Sequence, residues 1–266
     1  MKTVPFSRLA PVLAATLLLA LPGTVRADDT PAPPASPPAA PATDALGEIK
    51  QLQIDIEAAT KAKDDGAMTT LAKKMPPLYK STQDTASRSA LMKSMVGMLK
   101  NPKMSSARAA ALYSIVDTED GKEAWKAMAS LYPADDLEDP EKFNEQFIEA
   151  VGKLHPDAAI DKLLETFKKA KAPDVSAKAA SALGMYHKSK QRERIFEELV
   201  KSGRNMVPSK SANANPSPET QARWAAVAPK LGKALDELTG DTVGDPLEWF
   251  KRYNDAKKNL KILFKD

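Results

Sequence analysis

The chain repeats a segment of its own sequence at fixed intervals. Residues 104–112 (MSSARAAAL) match residues 175–183 (VSAKAASAL) at an offset of 71 residues. A third copy, residues 143–151 (FNEQFIEAV), begins 39 residues after the first and 32 residues before the last. Self-similarity at such intervals is typical of arrays in which each unit buries an apolar face against its neighbours. The periodicity therefore predicts a repeat architecture.

Each copy combines two kinds of helix. The first is rich in small residues, and its alanines allow neighbouring backbones to approach closely. The second follows a short turn and carries apolar residues at positions i, i+1 and i+4, which form one stripe along the helix. Strong helix formers dominate the middle of the chain, and runs of alternating Val, Ile and Thr are missing. The second-helix pairs that we expect to be buried between repeats are Ala124-Trp125, Leu163-Leu164 and Ile195-Phe196.

The array extends in both directions from these three copies. Towards the N terminus, a first helix is predicted to begin near Ala67 and to end before Pro76, because proline interrupts helix hydrogen bonds. Towards the C terminus, residues 231–238 complete another first helix. A loop at residues 203–218, rich in Pro, Ser and Asn, interrupts the array; it is either a flexible insertion, which its polar composition favours, or a ligand-contacting loop. The pattern predicts an all-α fold, an α-solenoid of about five antiparallel helix pairs.

The last unit, residues 219–266, is predicted to cap the array. Asp245, Pro246 and Glu248 have the arrangement of a helix start, with Asp as the N-cap and Pro in the first turn. A terminal repeat has no following neighbour to cover its apolar face. The aromatic residues expected to close this end are Trp249, Phe250 and Tyr253, although the same residues, if exposed, would form a platform for a partner or a glycan.

The two-helix unit resembles a HEAT repeat, most closely in the segments KNPKMSSARAAALYSI and KAPDVSAKAASALGMY. The ending Leu238-Thr239-Gly240, followed by Gly244-Asp245-Pro246 and Trp249, is similar to the last unit of exported bacterial HEAT-like proteins. The resemblance covers residues 67–253. It departs from the family where Val175 is followed by Ser176 and not by Arg. The resemblance implies an α-solenoid that serves as a protein-interaction scaffold, and it implies no particular partner.

The N-terminal segment has the layout of a secretory signal peptide. Lys2 and Arg8 precede an apolar run at residues 9–21, and residues 25–27 (VRA) offer a small-residue cleavage site. An uncleaved anchor is the alternative, but the apolar run is shorter than the roughly 20 residues that a membrane-spanning helix needs. We assign residues 1–27 to the signal, 28–43 to a Pro/Ala-rich linker and 44–266 to the repeat domain. The protein is thus expected to be periplasmic or secreted, with no integral membrane segment after cleavage.

Charge and composition argue against nucleic-acid binding and against catalysis. The chain has 39 basic and 35 acidic residues, and removing Lys2, Arg8 and Arg26 with the signal leaves 36 against 35. It has no cysteine, and therefore no disulfide, thiolate or Cys-type zinc site. No Gly-x-Ser-x-Gly motif or Gly-rich phosphate loop occurs. We expect no cofactor and no catalytic residues.

Two sites for a metal ion were weighed. His155 and His187 occupy equivalent repeat positions, but a metal site needs at least a third ligand, and a histidine at a helix end is the simpler interpretation. The acidic run at residues 135–141 lacks the EF-hand spacing and is more simply an exposed loop before a helix. We therefore expect no bound metal.

Charged residues recur at equivalent positions of the second helices. One interpretation is a solvated surface with i,i+4 ion pairs, and the other is a binding stripe on the inner surface of the solenoid. The mixed signs favour a protein partner over a polyanion. The candidate protein-binding residues, which we call the second-helix stripe, are Lys126, Lys162, Glu165, Lys169, Arg194, Glu197 and Lys201.

The sequence therefore favours an exported, monomeric, non-catalytic scaffold that binds another protein through a solenoid surface. The main alternative is an envelope chaperone that binds unfolded chains through methionines, since Met adapts to irregular partners. Burial of Met92, Met95 and Met98 would distinguish the first hypothesis from the second. A third hypothesis, an enzyme with a cryptic carboxylate pair, requires a deep pocket with convergent acids.

The signal assignment predicts that exported protein begins at Asp28, because the small-residue site at residues 25–27 follows a short apolar run. N-terminal sequencing of material from the native host measures this directly. A chain that retains Met1 in the membrane fraction would contradict the assignment.

Overall fold

In a computed structural model of the chain, every regular element within the described residues is a helix and none is a strand. The structure describes residues 45–133, 139–208 and 216–265, which all lie in one compact unit, Thr43–Asp266. The signal and linker assignments lie outside these residues. So do Asp135, Asp136 and Glu138 of the acidic run and residues 209–215 of the loop.

Eleven α-helices and three short 3₁₀ segments make up the described chain. The 3₁₀ segments are Ala129–Leu131, Asp157–Ala159 and Leu260–Leu263. The helices are α1 (Ala45–Ala62), α2 (Asp65–Ser81), α3 (Thr85–Leu99), α4 (Ser105–Asp117), α5 (Gly121–Met128), α6 (Pro140–Leu154), α7 (Ile160–Lys169), α8 (Pro173–Gly184), α9 (Arg192–Arg204), α10 (Pro218–Thr239) and α11 (Pro246–Ala256).

The helix contacts follow the alternation of first and second helices in the sequence. Helices α2, α4, α6, α8 and α10 each pack on the next member of this set, and we call them the first-helix row. Helix α3 contacts α5, and α7, α9 and α11 contact one another in order. The step from α5 towards α7 passes through the 3₁₀ segment Asp157–Ala159, which contacts both helices. Helix α1, which the repeat pattern did not predict, packs on α2 and α3.

Helix α2 corrects one prediction, because it continues through Pro76 and Pro77 to Ser81. Pro76 has no N–H to donate to the carbonyl of Ala72, four residues earlier, so that carbonyl needs another donor. The Ser114 hydroxyl of α4 donates to it at 2.9 Å. The residue that proline leaves unbonded is thus satisfied by the neighbouring helix, which is why the helix does not end there.

Small residues set the spacing of the first-helix row. A Cβ added at Gly152 in α6 would lie 2.9 Å from the Cα of Ala182 in α8. A Cβ added at Gly184 at the end of α8 would lie 2.8 Å from the Cα of Ala234 in α10. These distances are shorter than carbon atoms tolerate, so only glycine permits the observed contact. The two glycines are the ones that the repeat alignment placed at equivalent positions.

The second-helix pairs are buried, as predicted, with one exception. Ala124, Leu163 and Leu164 are at most 4% exposed, and Ile195 and Phe196 are fully buried. Trp125 is only partly buried, and its ring lies 6.5 Å from that of Phe147.

The aromatic residues of the last unit are buried as well. Asp245 caps α11 by accepting the N–H of Leu247 at 2.9 Å, and Pro246 follows it in the first turn. Trp249 is fully buried and donates its indole N–H to Asp236 at 2.7 Å. The residues after α11 pack back on the repeat domain, since the Lys265 N–H donates to the Thr239 carbonyl at 2.8 Å. The aromatic cluster therefore covers the end of the helix array.

We predict that Phe196→Ala lowers the free energy of unfolding by about 3–5 kcal/mol, as large-to-small core substitutions do. The Phe196 ring is fully buried and packs edge-on against Trp249 at 5.6 Å and Phe264 at 5.5 Å. Chemical denaturation measures the change. Ile262→Ala is the control, because that side chain is 69% exposed. An unchanged midpoint for Phe196→Ala would show that the assigned register is wrong.

We also predict that truncation before Asp245 lowers the melting temperature by about 10 °C and promotes aggregation, because it removes three buried aromatic side chains from one end of the core. Calorimetry and light scattering measure both effects. A truncated protein that melts like the full chain would show that α11 is not a cap.

Candidate functional site

All seven residues of the second-helix stripe lie on three helices and are solvent-accessible. Lys126 is on α5 and 76% exposed, whereas Lys162, with 36%, is among the least exposed. The remaining members follow on α7 (Glu165 and Lys169) and α9 (Arg194, Glu197 and Lys201).

The charges of the stripe are largely neutralised within the protein. Glu165 receives Lys169 at 3.2 Å and Lys162 at 3.4 Å, and these two lysines hold the pKa of its carboxyl below the usual value. Lys201 pairs with Glu197 at 3.0 Å. Exposed pairs of this kind contribute little to stability, but they leave few charges free for a partner.

Two further ion pairs connect adjacent second helices. Arg194 of α9 pairs with Asp161 of α7, and Lys168 of α7 pairs with Glu198 of α9 at 2.5 Å. The carboxylate of Glu197 also accepts the hydroxyl of Tyr253 at 3.0 Å. The stripe therefore forms a bonded surface that links neighbouring units.

The two histidines lie at turns that form one side of a groove. Helix α6 ends at His155, whose φ of 49° is left-handed, and Pro156 follows. The His155 ring meets the Tyr186 ring edge-on at 5.7 Å, and the Tyr186 hydroxyl donates to the Pro156 carbonyl at 3.2 Å. These contacts join the turn after α6 to the turn after α8.

A glycine brings α5 to the same place. A Cβ at Gly121 would overlap the carbonyl oxygen of Leu154, so only glycine lets the start of α5 approach the end of α6. The resulting groove, which we call the turn groove, has a volume of about 850 Å³ and is lined by residues 121, 122, 125, 154–158 and 185–190.

The turn groove combines an apolar surface with unpaired cations. Trp125 and Met185 supply partly buried apolar area. Within the described residues, Lys122, Lys188 and Lys190 have no carboxylate within 4.0 Å, and all three are exposed. The only carboxylate of the lining, that of Asp157, accepts the Ser189 hydroxyl at 2.9 Å.

The histidines add charge to this groove at low pH. Burial, together with the nearby charges of His187 and Lys188, lowers the pKa of His155 below its ordinary value. Both rings are therefore largely neutral at pH 7, and acidification makes the groove more positive. No group of three His, Asp or Glu side chains converges anywhere in the described ranges.

Sequence reasoning found part of this groove. His155 and His187 were matched through the repeat offset, and Lys188 and Lys190 belong to a basic cluster that is visible in the sequence. Lys122 was missed, because it is isolated in the sequence and joins the others only where α5 approaches α6.

The methionines that would serve a chaperone are inside the core. Met92, Met95 and Met98 are 3%, 0% and 2% exposed. By the criterion set above, their burial favours the scaffold hypothesis over the chaperone hypothesis.

One pair of adjacent carboxylates lies at a surface groove, and both already have structural partners. Glu119 pairs with Lys80 at 2.5 Å. Asp120 accepts the Tyr79 hydroxyl at 2.8 Å and caps α5 by accepting the Glu123 N–H at 3.1 Å. Neither carboxylate is left free to act as an acid or base.

Comparison with known proteins gave no relative from which a role could be transferred: no family model, curated protein or solved structure matches the chain. Among the helices of the described residues, none is both long and apolar enough to cross a membrane.

Proposed function

We propose that the chain is an exported, non-catalytic α-solenoid scaffold that binds another protein, and that the turn groove is its contact surface for an acidic segment with an apolar side chain. The observation that carries this proposal is the contrast between two charged surfaces. The second-helix stripe pairs its own charges, whereas the groove holds three unpaired lysines beside partly buried apolar residues.

The solenoid part of the proposal is supported by the order of the helix contacts. Each first helix packs on the next one, and glycine contacts at Gly152 and Gly184 repeat along the row. In a solenoid each unit contacts only its neighbours, so turns from successive units stand side by side. A groove that spans the turns after α6 and α8 and the start of α5 would then be extended enough for a peptide segment.

The partner chemistry follows from the lining. Unpaired lysines attract carboxylates without first breaking an internal ion pair, and an apolar side chain on the partner would cover Trp125 and Met185. A signal peptide would place this encounter in the periplasm or outside the cell, and the protein would act as a monomer. No cofactor or metal is needed for such binding.

We predict that replacing Lys122, Lys188 and Lys190 together by Ser weakens capture of the partner about tenfold, since three unpaired charges are removed from the contact. The measurement is quantitative cross-linking and pull-down from the native cell envelope at two salt concentrations. Binding to the unaltered protein should also fall as salt rises.

The matched control removes the same charge from the stripe by replacing Lys126, Lys162 and Lys169 with Ser. This variant should retain binding. If it loses the partner while the groove variant keeps it, the stripe is the binding surface. If both variants bind as the unaltered protein does, neither surface is the contact and the proposal is wrong.

A further inference from the structure

A buried arginine near the start of α4 has no hydrogen-bond acceptor. Arg108 is only 4% exposed, and its Nε and Nη1 atoms are buried without a partner. A buried guanidinium that lacks acceptors is costly, because it has lost water without gaining an equivalent bond. Most buried polar groups are satisfied, so this arginine calls for an explanation.

The neighbours of Arg108 compensate only part of this cost. Its guanidinium lies 5.7 Å from the centre of the Phe143 ring, which is a favourable cation–π geometry. The nearby carboxylate of Asp65 is engaged elsewhere, since it accepts the N–H of Ala107 at 2.8 Å and that of Ser106 at 3.2 Å. These bonds also occupy the N-terminal amides of α4, so the helix terminus itself offers no free site.

Arg108 lines a pocket between α4 and α6 with a volume of about 540 Å³. Lys142 contributes a second cation and, in the described chain, has no ion-pair partner within 4.0 Å. The one carboxylate of the lining belongs to Asp139, and it accepts the Lys142 N–H at 3.2 Å as the cap of α6. Further donors are the Ser105 hydroxyl and the Gln146 amide. The lining therefore has two cations and one carboxylate, a net positive charge.

We propose that this pocket, the Arg108 pocket, binds a small oxyanion, a carboxylate or phosphate group, through Arg108 and Lys142. Arginine and lysine are the side chains that bind such groups most strongly, and an anion here would supply the negative charge that the guanidinium lacks. The pocket lies apart from the turn groove and shares no residue with it, so the inference does not depend on the proposed protein partner.

The test compares thermal unfolding of the full mature protein in sodium phosphate, sodium acetate and sodium chloride at equal ionic strength. Binding to the folded state raises the melting temperature, and a saturating ligand of modest affinity should raise it by about 2–4 °C above the chloride value. A response to phosphate alone identifies a phosphate site, and a response to acetate identifies a carboxylate site. If neither anion exceeds chloride, the proposal is wrong.

The decisive variant is Arg108→Met, which keeps the apolar stem and removes the charge. It should lose the anion response, whereas Lys93→Met, a charge-matched change on the exposed surface of α3, should keep it. An Arg108→Met protein that responds to the anion as the unaltered protein does would overturn the proposal.

Lys142→Met guards against a variant that fails to fold. Lys142 is exposed, so its replacement should leave the fold intact and weaken anion binding severalfold in a calorimetric titration. If Arg108→Met does not fold and Lys142→Met binds with unchanged affinity, Arg108 has a structural role only and the pocket is not an anion site.

Discussion

The close approach of backbones along the first-helix row is the constraint on which the rest of the structure depends. Gly152 and Gly184 permit α6, α8 and α10 to touch at distances that a Cβ would forbid. Helices held this close position the apolar stripes of the second helices, so that Leu163, Ile195 and their neighbours are buried. A substitution at either glycine would therefore displace a whole helix and not merely one side chain, because interiors are packed too densely to absorb an extra methyl group without movement.

The same arrangement decides which charges are free. Second helices that stand side by side allow Arg194 to reach Asp161 and Lys168 to reach Glu198, so their surface is bonded across units. The turns between helices have no such neighbours. Lysines there are left unpaired, and the contact between the turns after α6 and α8 gathers them around apolar residues. Surface charge is thus distributed by helix spacing: it is paired where helices run alongside each other and unpaired where the chain turns.

Both ends of the array are closed by elements that do not follow the central repeat. Helix α1 covers α2 and α3 at one end, and Trp249, Phe250 and Tyr253 of α11, with Phe264 after it, cover Phe196 at the other. The aromatic end was recognisable because a helix start with a cap and three large apolar residues is a local pattern. Helix α1 was not recognised, because it lies before the first repeat copy and shares none of its offsets.

The sequence by itself determined the helical fold, the alternation of two helix types and most of the buried residues. Each of these follows from local propensity and from apolar spacing within one helix. Only the tertiary structure decided what depends on distant residues. Ser114 supplies the donor that lets α2 continue through Pro76, Lys122 joins the turn groove 33 residues before His155, and Arg108 is enclosed by α6 without an acceptor. No local pattern encodes these contacts, because each is formed by side chains whose proximity arises when separate helices pack.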